Sequence, residues 1–367
     1  MGERQGAVED MVNGLDFYKD KSVLVTGHTG FKGTWLCKIL ELAGAKVSGY
    51  ALPSPTEDGA KVFTQSKVAA DMYSAVGDIR NFASLKRTFL EVRPEIVFHL
   101  AAQPIVRESY KNPLDTYATN VMGTVNLLEC VRTIKGVKSL VNVTTDKVYD
   151  NNEQQDKAYG ETDPLDGYDP YANSKSCSEL ATHSYQRCFF KDAGVAVSTV
   201  RAGNVIGGGD FAADRILPDC IRAAYKQQVI TVRHPLSIRP YQHVLEALHV
   251  YLLLAQKQYE NYQYAGYYNV GPADNDCVNT GQLVNLFCQY WGGGQSWQSL
   301  STEGPHEAKF LRLDCTKLKT TFNWKPRWHL DEAVAQTVAW AKVYQQQGNI
   351  AQCMEQQIDE FWQTGGM

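Results

Sequence analysis

A polar triplet follows the apolar run Ser139–Val143: Thr145, Asp146 and Lys147 place a hydroxyl, a carboxyl and an amine on successive residues. A carboxyl and an amine that lie close together can act as acid and base when their surroundings shift their pKa values toward neutrality. The alternative is an exposed loop pair with Thr145 capping a turn, in which case the ion pair contributes under about 1 kcal/mol to stability. The triplet indicates acid–base chemistry without establishing it.

A second pair, Tyr171 and Lys175, has the spacing Y-x-x-x-K on a predicted helix. Residues four apart share a helix face, and an ammonium beside a phenol stabilises the phenolate, which lowers the Tyr pKa from about 10. A phenol in this setting is a usable base. Because such pairs are common by chance, the weight of this one comes from its order along the chain after the other motifs.

Gly27, Gly30 and Gly33 form a G-x-x-G-x-x-G turn between the first predicted strand and the first predicted helix. Glycine permits the tight turn and lets backbone N–H groups approach a dinucleotide pyrophosphate at the helix N-terminus. The alternative is a turn that only connects a strand to a helix. Lys32 within it could meet a 2′-phosphate or the pyrophosphate, or it could be solvated.

The acidic residue that would bind the adenine ribose is missing after the second predicted strand, which reads Lys46 to Leu52 and runs into Pro53. These residues therefore leave open the choice between a phosphorylated and an unphosphorylated dinucleotide. Asp78, at the end of the third predicted strand, could accept a hydrogen bond from the adenine amino group. It could equally cap the helix that begins near Phe82.

The elements that must position these residues alternate between short β-rich runs and helical stretches from Ser22 to about Arg201. Their continuous apolar strands predict an α/β fold: a Rossmann-like, doubly wound parallel sheet with a smaller mixed α/β substrate-binding lobe. The dinucleotide-binding domain is expected over residues 18–200, with a segment around 235–270 crossing back, and the lobe mainly over residues 201–365. The Gln-rich stretch 344–357 predicts an exposed helix.

Composition excludes several classes of protein. The formal net charge is -4 and the sequence pI is about 6.1, without runs of Lys or Arg, which argues against nucleic-acid binding. The nine cysteines are odd in number and form no C-x-x-C pair, which favours a reducing, cytoplasmic compartment. The acidic N-terminus and the short apolar runs predict neither a signal peptide nor a membrane span. Because no His/Cys cluster has metal-ligand spacing, no metal site is expected.

The motifs resemble those of the extended short-chain dehydrogenase/reductase family, from about Lys21 to Trp340. The resemblance is carried by VTGHTGFKG, DIR, HLAAQ, VTTDK, YANSK, the run Thr119-Asn120-Val121 with Gly123-Thr124, and R-x-x-N-x-x-G from Arg201 to Gly207. Within that family the sequence is similar to the nucleotide-sugar 4,6-dehydratases, in GHTGFKGTWL, AAQPIVRESY, TTDKVY, YDPYANSK, RAGNVIGGGDFAADRILPD, IRPYQHVLE and GPHEAKFLRLD.

The resemblance implies NAD as the cofactor and a nucleotide sugar as the substrate. The catalytic residues that it implies are Thr145, Asp146, Lys147, Tyr171 and Lys175. The cofactor contacts that it implies are Gly27, Thr29, Gly30, Phe31, Lys32, Gly33, Asp78, Ile79, Ala101, Ala102, Gln103, Asn120, Tyr171 and Lys175. It places the nucleotide diphosphate near Asn204, Arg215 and Arg239. It also implies substrate binding by His306 and Glu307, for which the alternative is a surface loop that does not use them. Family members pair through long helices, which implies a homodimer or higher homo-oligomer built on stretches 115–133 and 170–192.

In the reaction that the resemblance implies, Tyr171 takes the proton of the sugar 4-hydroxyl while NAD accepts the C4 hydride. A base then removes the C5 proton and an acid protonates the departing 6-hydroxyl. Many relatives carry Glu as the C5 base where this sequence has Lys147. We hypothesise that Lys147 is the C5 base and Asp146 the C6 acid, which requires the Lys pKa to fall well below about 10.4. The alternative is that Lys147 orients a water or the substrate.

Two rival functions stay open from the sequence. A nucleotide-sugar 4-epimerase or another dehydratase would share the fold, but an epimerase needs no acid–base pair at C5 and C6. A non-catalytic NAD-binding scaffold would be expected to lose one or more of Thr145, Asp146, Tyr171 and Lys175, and all four are present.

Overall fold

The computed structural model describes residues 14–152, 157–300 and 310–364. Its strands, in chain order, are β1 Ser22–Thr26, β2 Lys46–Ala51, β3 Tyr73–Val76, β4 Ile96–His99, β5 Ser139–Val143, β6 Ala196–Ala202, β7 Asn204–Ile206, β8 Ile230–Val232, β9 Ile238–His243, β10 Tyr267–Val270, β11 Cys277–Asn279 and β12 Trp297–Ser299. Its α-helices are α1 Phe31–Leu42, α2 Glu57–Gln65, α3 Val68–Asp71, α4 Phe82–Val92, α5 Val106–Lys111, α6 Pro113–Tyr117, α7 Gly123–Thr133, α8 Pro170–Tyr185, α9 Lys191–Ala193, α10 Ile216–Tyr225, α11 Val244–Glu260, α12 Thr280–Trp291, α13 Thr316–Phe322, α14 Leu330–Gln345 and α15 Ile350–Gln363.

A seven-stranded sheet forms the centre of the described structure, in the order β10-β6-β5-β4-β1-β2-β3. All of its neighbouring strands pair in parallel. The strand order reverses between β1 and β4, which is the switch point at which doubly wound folds bind ligands. The predicted Rossmann-like, doubly wound α/β fold is confirmed.

Alternating strand residues feed two hydrophobic cores, one on each face of the sheet. In β1, Val23 and Val25 pack into one core with residues of α1, α11 and α15. Leu24, between them, packs into the other core with residues of α4 and α7. Both faces are covered, which explains why the strands read as continuous apolar runs rather than as alternating ones.

The smaller part of the molecule is built from short strands and three helices. Strands β11, β9 and β7 form one sheet, in which β7 is parallel and β11 antiparallel to β9, and β8 pairs with β12. Helices α10, α12 and α14 contribute Leu217, Leu283 and Val334 to a third core. Between these elements the chain returns to the central sheet, because α11 lies on it and β10 is its edge strand beside β6.

The prediction of one exposed helix over 344–357 is wrong. The chain ends α14 and begins α15 within that stretch, and α15 buries Met354 and Ile358. Apolar residues four apart form a stripe among the glutamines, and the stripe packs against the sheet domain. An ion pair of 2.8 Å between Lys38 Nζ and Glu355 Oε1 joins α1 to α15. Across the described ranges, none of the helices combines the length and apolar character needed to cross a membrane.

Candidate active site

A cleft of about 510 Å³ opens at the carboxyl ends of the central strands. Its size suits a bound small molecule, and its place at the switch point is the usual ligand site of this fold class. The predicted site residues that line it are Gly27, Thr29, Gly30, Phe31, Lys32, Gly33, Asp78, Ile79, Ala101, Ala102, Gln103, Tyr171, Lys175 and Arg215. The cleft therefore brings residues of both the glycine turn and the Y-x-x-x-K helix into one wall.

The glycine turn is packed so closely that it admits no side chains at two of its positions. Gly27 has φ +76, and a Cβ placed on it would lie 2.8 Å from Ala101 N. A Cβ on Gly33 would lie 2.1 Å from Gly27 O. Gly30 caps α1 without a side-chain hydrogen bond, which leaves the first N–H groups of the helix available to an anion. This cradle fits a dinucleotide pyrophosphate.

Asp78 lies in the cleft wall, with its carboxylate already engaged. It accepts hydrogen bonds from Arg80 N and Nε at 2.9 Å, and Arg80 also pairs with Asp115. Arg80 lowers the pKa of the Asp78 carboxyl mainly through the side-chain hydrogen bond. The Asp78 carboxylate is thus held ionised as a hydrogen-bond acceptor. It follows β3, the edge strand of the central sheet.

Asn120 does not line the cleft, although the family resemblance implies a cofactor contact for it. It is buried, accepts a hydrogen bond from Gln103 N at 2.8 Å, and donates to Ser174 Oγ at 2.9 Å. Asn120 therefore fastens the cleft-lining loop of Gln103 to helix α8. Its contribution to the site is to hold a wall of the cleft in place.

Helix α8 presents the Tyr and Lys as the spacing predicts. Asp169 caps it by accepting from Ala172 N at 2.9 Å, and Pro170 occupies the first turn, where its missing N–H costs nothing. Lys175 Nζ donates to Val143 O, the end of β5, at 3.0 Å. Helix α8 and strand β5, which precedes the polar triplet, are therefore tied together at Lys175.

Burial raises the pKa of Tyr171 to about 12, while a hydrogen bond with Thr145 and the positive charge of Arg215 act against it. Sequence reasoning assigned the lowering effect to Lys175 instead. In the structure, the Lys175 amine is used to donate to Val143, and the guanidinium that favours the phenolate comes from a distant loop. Burial outweighs both opposing effects because it removes water from the phenolate.

Thr145 caps a short 3₁₀ turn, Asp146–Val148, which follows the cleft-lining Val143 and Thr144. The three residues of the polar triplet lie beside the cleft and are not part of its lining in the described structure. Thr145 Oγ1 donates to Asp146 Oδ1 at 3.0 Å, and Asp146 Oδ2 is buried with no hydrogen-bond partner in the described chain. Burial raises the pKa of Asp146, against the opposing effects of Lys147 and Thr145. A buried carboxyl with a raised pKa and a free oxygen is equipped to donate a proton.

Cationic side chains gather around these groups. Burial, followed by the charge of Arg215, lowers the pKa of Lys32 to about 8, and burial, followed by the charge of Lys32, lowers that of Lys175 to about 7. The positive charge of Arg239 acts on Asp146, and Arg215 pairs with Asp210 at 2.8 Å. This concentration of positive charge suits a ligand that carries phosphates.

Of the residues predicted to bind the substrate, only some line the cleft. Arg215 lines the cleft, while Asn204 on β7 and Arg239 on β9 lie on adjacent strands of the smaller sheet. His306 and Glu307 lie outside the described residues. Sequence reasoning missed Asp210, which follows a run of three glycines and lies five residues before its partner Arg215; that spacing was the available signal.

Within the described ranges, no group of three or more His, Cys, Asp or Glu side chains could hold a metal ion. The cleft and the residues beside it carry acids, bases and cations. These are the groups that a sugar hydroxyl and a diphosphate would meet.

Comparison with known proteins decides the family. The sequence model described as GDP-mannose 4,6 dehydratase matches residues 24–337, which is most of the chain. The chain belongs to the GDP-mannose 4,6 dehydratase family. A similar protein, the CDP-glucose 4,6-dehydratase of Salmonella typhimurium, is 44% identical over 352 residues, which cover 94% of this chain and 97% of that relative.

Solved structures with the same fold include other nucleotide-sugar enzymes. The dTDP-glucose 4,6-dehydratase of Bacillus anthracis in complex with NAD has a TM-score of 0.74 at 21% identity, over 89% of this chain and 98% of that chain. The UDP-glucose 4-epimerase of Thermotoga maritima with UDP-glucose has a TM-score of 0.76 at 23% identity, over 88% and 99%. Because dehydratases and epimerases share this fold, what members of the GDP-mannose 4,6 dehydratase family do must be argued from their site residues.

Proposed function

We propose that the protein is a hydro-lyase that converts CDP-D-glucose to CDP-4-dehydro-6-deoxy-D-glucose and water, with NAD as its cofactor. The observation that carries this proposal concerns Asp146 beside Thr145: its Oδ2 is buried and has no hydrogen-bond partner among the residues that the structure describes. It supplies an acid that an oxidoreductase or an epimerase has no use for. The identity with the Salmonella typhimurium CDP-glucose 4,6-dehydratase supports CDP-glucose over other nucleotide sugars.

The glycine turn and the N-terminus of α1 would hold the NAD pyrophosphate, and Asp78 would accept from the adenine. NAD, when bound, accepts a hydride from C4 of the sugar and returns it to C6, so that it is unchanged after a turnover. Lys32 lies in the glycine turn and at the catalytic end of the cleft, where its charge is available to either diphosphate.

The first half of the reaction uses Tyr171 and Thr145. Tyr171 takes the proton from the 4-hydroxyl, and Thr145, which already favours the phenolate, hydrogen-bonds the same oxygen. The charge of Arg215 also favours the phenolate and so opposes the rise in the pKa of Tyr171 that burial causes. The product of this half is a 4-ketone, which acidifies the neighbouring C5–H.

The second half uses Asp146 and Lys147. Lys147 removes the proton from C5, the C6–O bond breaks, and Asp146 gives its proton to the departing hydroxyl, which leaves as water. The resulting double bond between C5 and C6 accepts hydride at C6 and a proton at C5. Lys147 returns that proton. Before the next turnover, Tyr171 must release the proton that it took from the 4-hydroxyl, and Asp146 must regain the proton that it gave to the departing hydroxyl.

A panel of sugars tests the substrate. Purified protein with NAD is incubated with CDP-, UDP-, dTDP- and GDP-glucose, and the products are identified by NMR. We expect a 4-keto-6-deoxy product from CDP-glucose. A C4 epimer would favour an epimerase, and no turnover of any sugar would favour a non-catalytic scaffold.

The role of Lys147 is tested by exchange with deuterated solvent. Lys147→Ala should still reduce bound NAD with substrate but should lose deuterium incorporation at C5, because only the base is missing. Lys135→Ala, at an exposed position, controls for the loss of one positive charge. Exchange at the wild-type rate in Lys147→Ala would assign the base to another group.

A homodimer through α6 to α8 completes the proposal, with higher assembly as an alternative. Three large apolar side chains on these neighbouring helical segments are exposed: Leu114 by 84%, Met122 by 54% and Leu180 by 53%. Exposed apolar side chains grouped in this way favour a protein–protein contact. Sedimentation of Leu180→Asp against the wild type tests this contact. We place the protein in the cytoplasm, supported by nine free cysteines.

A further inference from the structure

Arg201, the first residue of the R-x-x-N-x-x-G motif, is buried rather than placed in the cleft. It is 1% exposed and forms an ion pair with Glu179, which is fully buried, at 2.5 Å between Nη2 and Oε2. Arg201 Nε also donates to both Glu179 oxygens, at 2.9 and 3.0 Å. Because burying two charges is costly, a pair of this kind persists only where its geometry and its other hydrogen bonds are good.

Two further hydrogen bonds of the pair reach both ends of the catalytic turn, besides those to Thr199 Oγ1 and Glu161 O. Thr144 Oγ1 donates to Glu179 Oε1 at 2.5 Å, and Arg201 Nη1 donates to Tyr149 OH at 2.8 Å. Thr144 immediately precedes Thr145, and Tyr149 immediately follows the 3₁₀ turn that holds Asp146. The ion pair therefore holds the turn by its two flanking residues.

Further contacts fix the Tyr149 end of the turn to the rest of the fold. Tyr149 OH donates to Asn269 Oδ1 at 2.6 Å, and Asn269 Nδ2 donates to Tyr159 O at 2.7 Å. Ser176 Oγ donates to Val148 O at 2.8 Å. The turn is thus tied to β10 and to the helix that carries the catalytic Tyr and Lys.

We propose that the Glu179–Arg201 pair, acting through Thr144 and Tyr149, is a positioning element that holds Asp146 and Lys147 in place for the elimination step. This inference rests on the proposed function and deepens it. Neither Glu179 nor Arg201 touches the substrate, because both are buried behind the turn.

The position of the pair predicts which half of the reaction depends on it. Tyr171 and Lys175 have their own supports, because the N-cap of α8 and the bond from Lys175 to Val143 do not involve Tyr149. Thr145, Asp146 and Lys147 all stand between the two residues that the pair anchors. Thr145 adjoins Thr144, whose bonds to Glu179 and to Val200 O do not depend on Tyr149, whereas Asp146 and Lys147 lie in the turn that Tyr149 closes. Loosening Tyr149 should therefore slow elimination far more than C4 oxidation.

The test compares Tyr149→Phe with the control Tyr159→Phe. The Tyr159 ring stacks on Tyr149 with 5.3 Å between ring centroids, and its hydroxyl donates to Asn151 Oδ1 rather than contacting Arg201. Rapid mixing of each variant with NAD and CDP-glucose follows the reduced nicotinamide by absorbance. For Tyr149→Phe we expect the reduced nicotinamide to appear at a rate within about twofold of the wild type. We expect both the decay of the reduced nicotinamide and the exchange at C5 to be slower by about tenfold to a hundredfold. Tyr159→Phe should behave as wild type. Unchanged decay in Tyr149→Phe, or equal slowing of both phases, would overturn the inference.

A second measurement needs neither cofactor nor substrate. Hydrogen exchange by mass spectrometry should show faster exchange over residues 144–149 in Tyr149→Phe and in Thr144→Val, and unchanged exchange in Tyr159→Phe. Unchanged exchange in both test variants would overturn the anchoring. Wild-type protein that fails to reduce NAD with any sugar would refute the proposed function instead, and the exchange experiment would still decide whether the pair holds the turn.

Discussion

Gly33→Ala probes the cradle of the glycine turn, where the structure leaves no room for a methyl group. The added Cβ would lie 2.1 Å from Gly27 O and 2.7 Å from His28 Cα, both backbone atoms. An ordinary contact begins at 3.4 Å, so the turn and helix α1 must move apart by roughly 1 Å. Overpacking of this kind costs about 1–3 kcal/mol. If the turn moves, it also draws its N–H groups away from the pyrophosphate.

Two assays follow the strain. A cost of about 1–3 kcal/mol that falls on folding lowers the melting temperature by about 1 to 4 °C. The same cost, if it falls on the NAD-bound turn, weakens NAD binding by about fivefold to a hundredfold. Gly266→Ala is the matched control, because the same methyl group meets only Lys317 Nζ at an ordinary 3.5 Å. A Gly33→Ala protein that melts and binds NAD like the wild type, measured by calorimetry, would refute this account of the turn.

Further predictions concern the acid, the cations and the buried pair. Asp146→Asn should keep C4 oxidation and slow water loss by about 10² or more, seen as accumulation of reduced nicotinamide; prompt decay would contradict the acid role. Burial, followed by the positive charge of Arg215, lowers the pKa of Lys32 to about 8. The negative charge of a bound pyrophosphate should raise that pKa. NAD binding above that pH should therefore take up a proton, whereas below pH 7, where Lys32 is already charged, it should not. Calorimetry in buffers of different ionisation enthalpy measures the proton uptake. Uptake that persists in Lys32→Met would exclude Lys32 as its source. Arg201→Met should lower the unfolding free energy by about 3–5 kcal/mol in urea because Glu179 stays buried without its partner, and the double variant with Glu179→Gln should recover most of it.

The parts of the site that depend on local spacing were predictable. The turn Gly27–Gly33 and the pair Tyr171 and Lys175 each lie within one turn or helix, so that short-range rules place them correctly. The parallel sheet followed from continuous apolar strands separated by helices. These predictions required no knowledge of how distant segments meet.

The features that were missed depend on distant segments. Arg215 influences Tyr171 only because the loop of Asp210 folds over the cleft, and no local pattern reports that approach. The cofactor contact of Asn120 stays a prediction, and no local pattern reports that its side-chain amide bonds Gln103 and Ser174. The stretch 344–357 was predicted from its many glutamines, and the apolar residues Ile350, Met354 and Ile358 at four-residue spacing were overlooked. The surface that this stripe covers is set by tertiary contacts with α1, which no local pattern reports.

The most direct test of the central claim follows one hydrogen atom. Protein, NAD and CDP-glucose deuterated at C4 are incubated in ordinary water, and the product is examined by NMR and mass spectrometry. A dehydratase that carries the hydride from C4 to C6 must give CDP-4-dehydro-6-deoxyglucose with the deuterium at C6. Deuterium retained at C4 in an epimer, or a 4-keto product without deuterium at C6, would contradict the account.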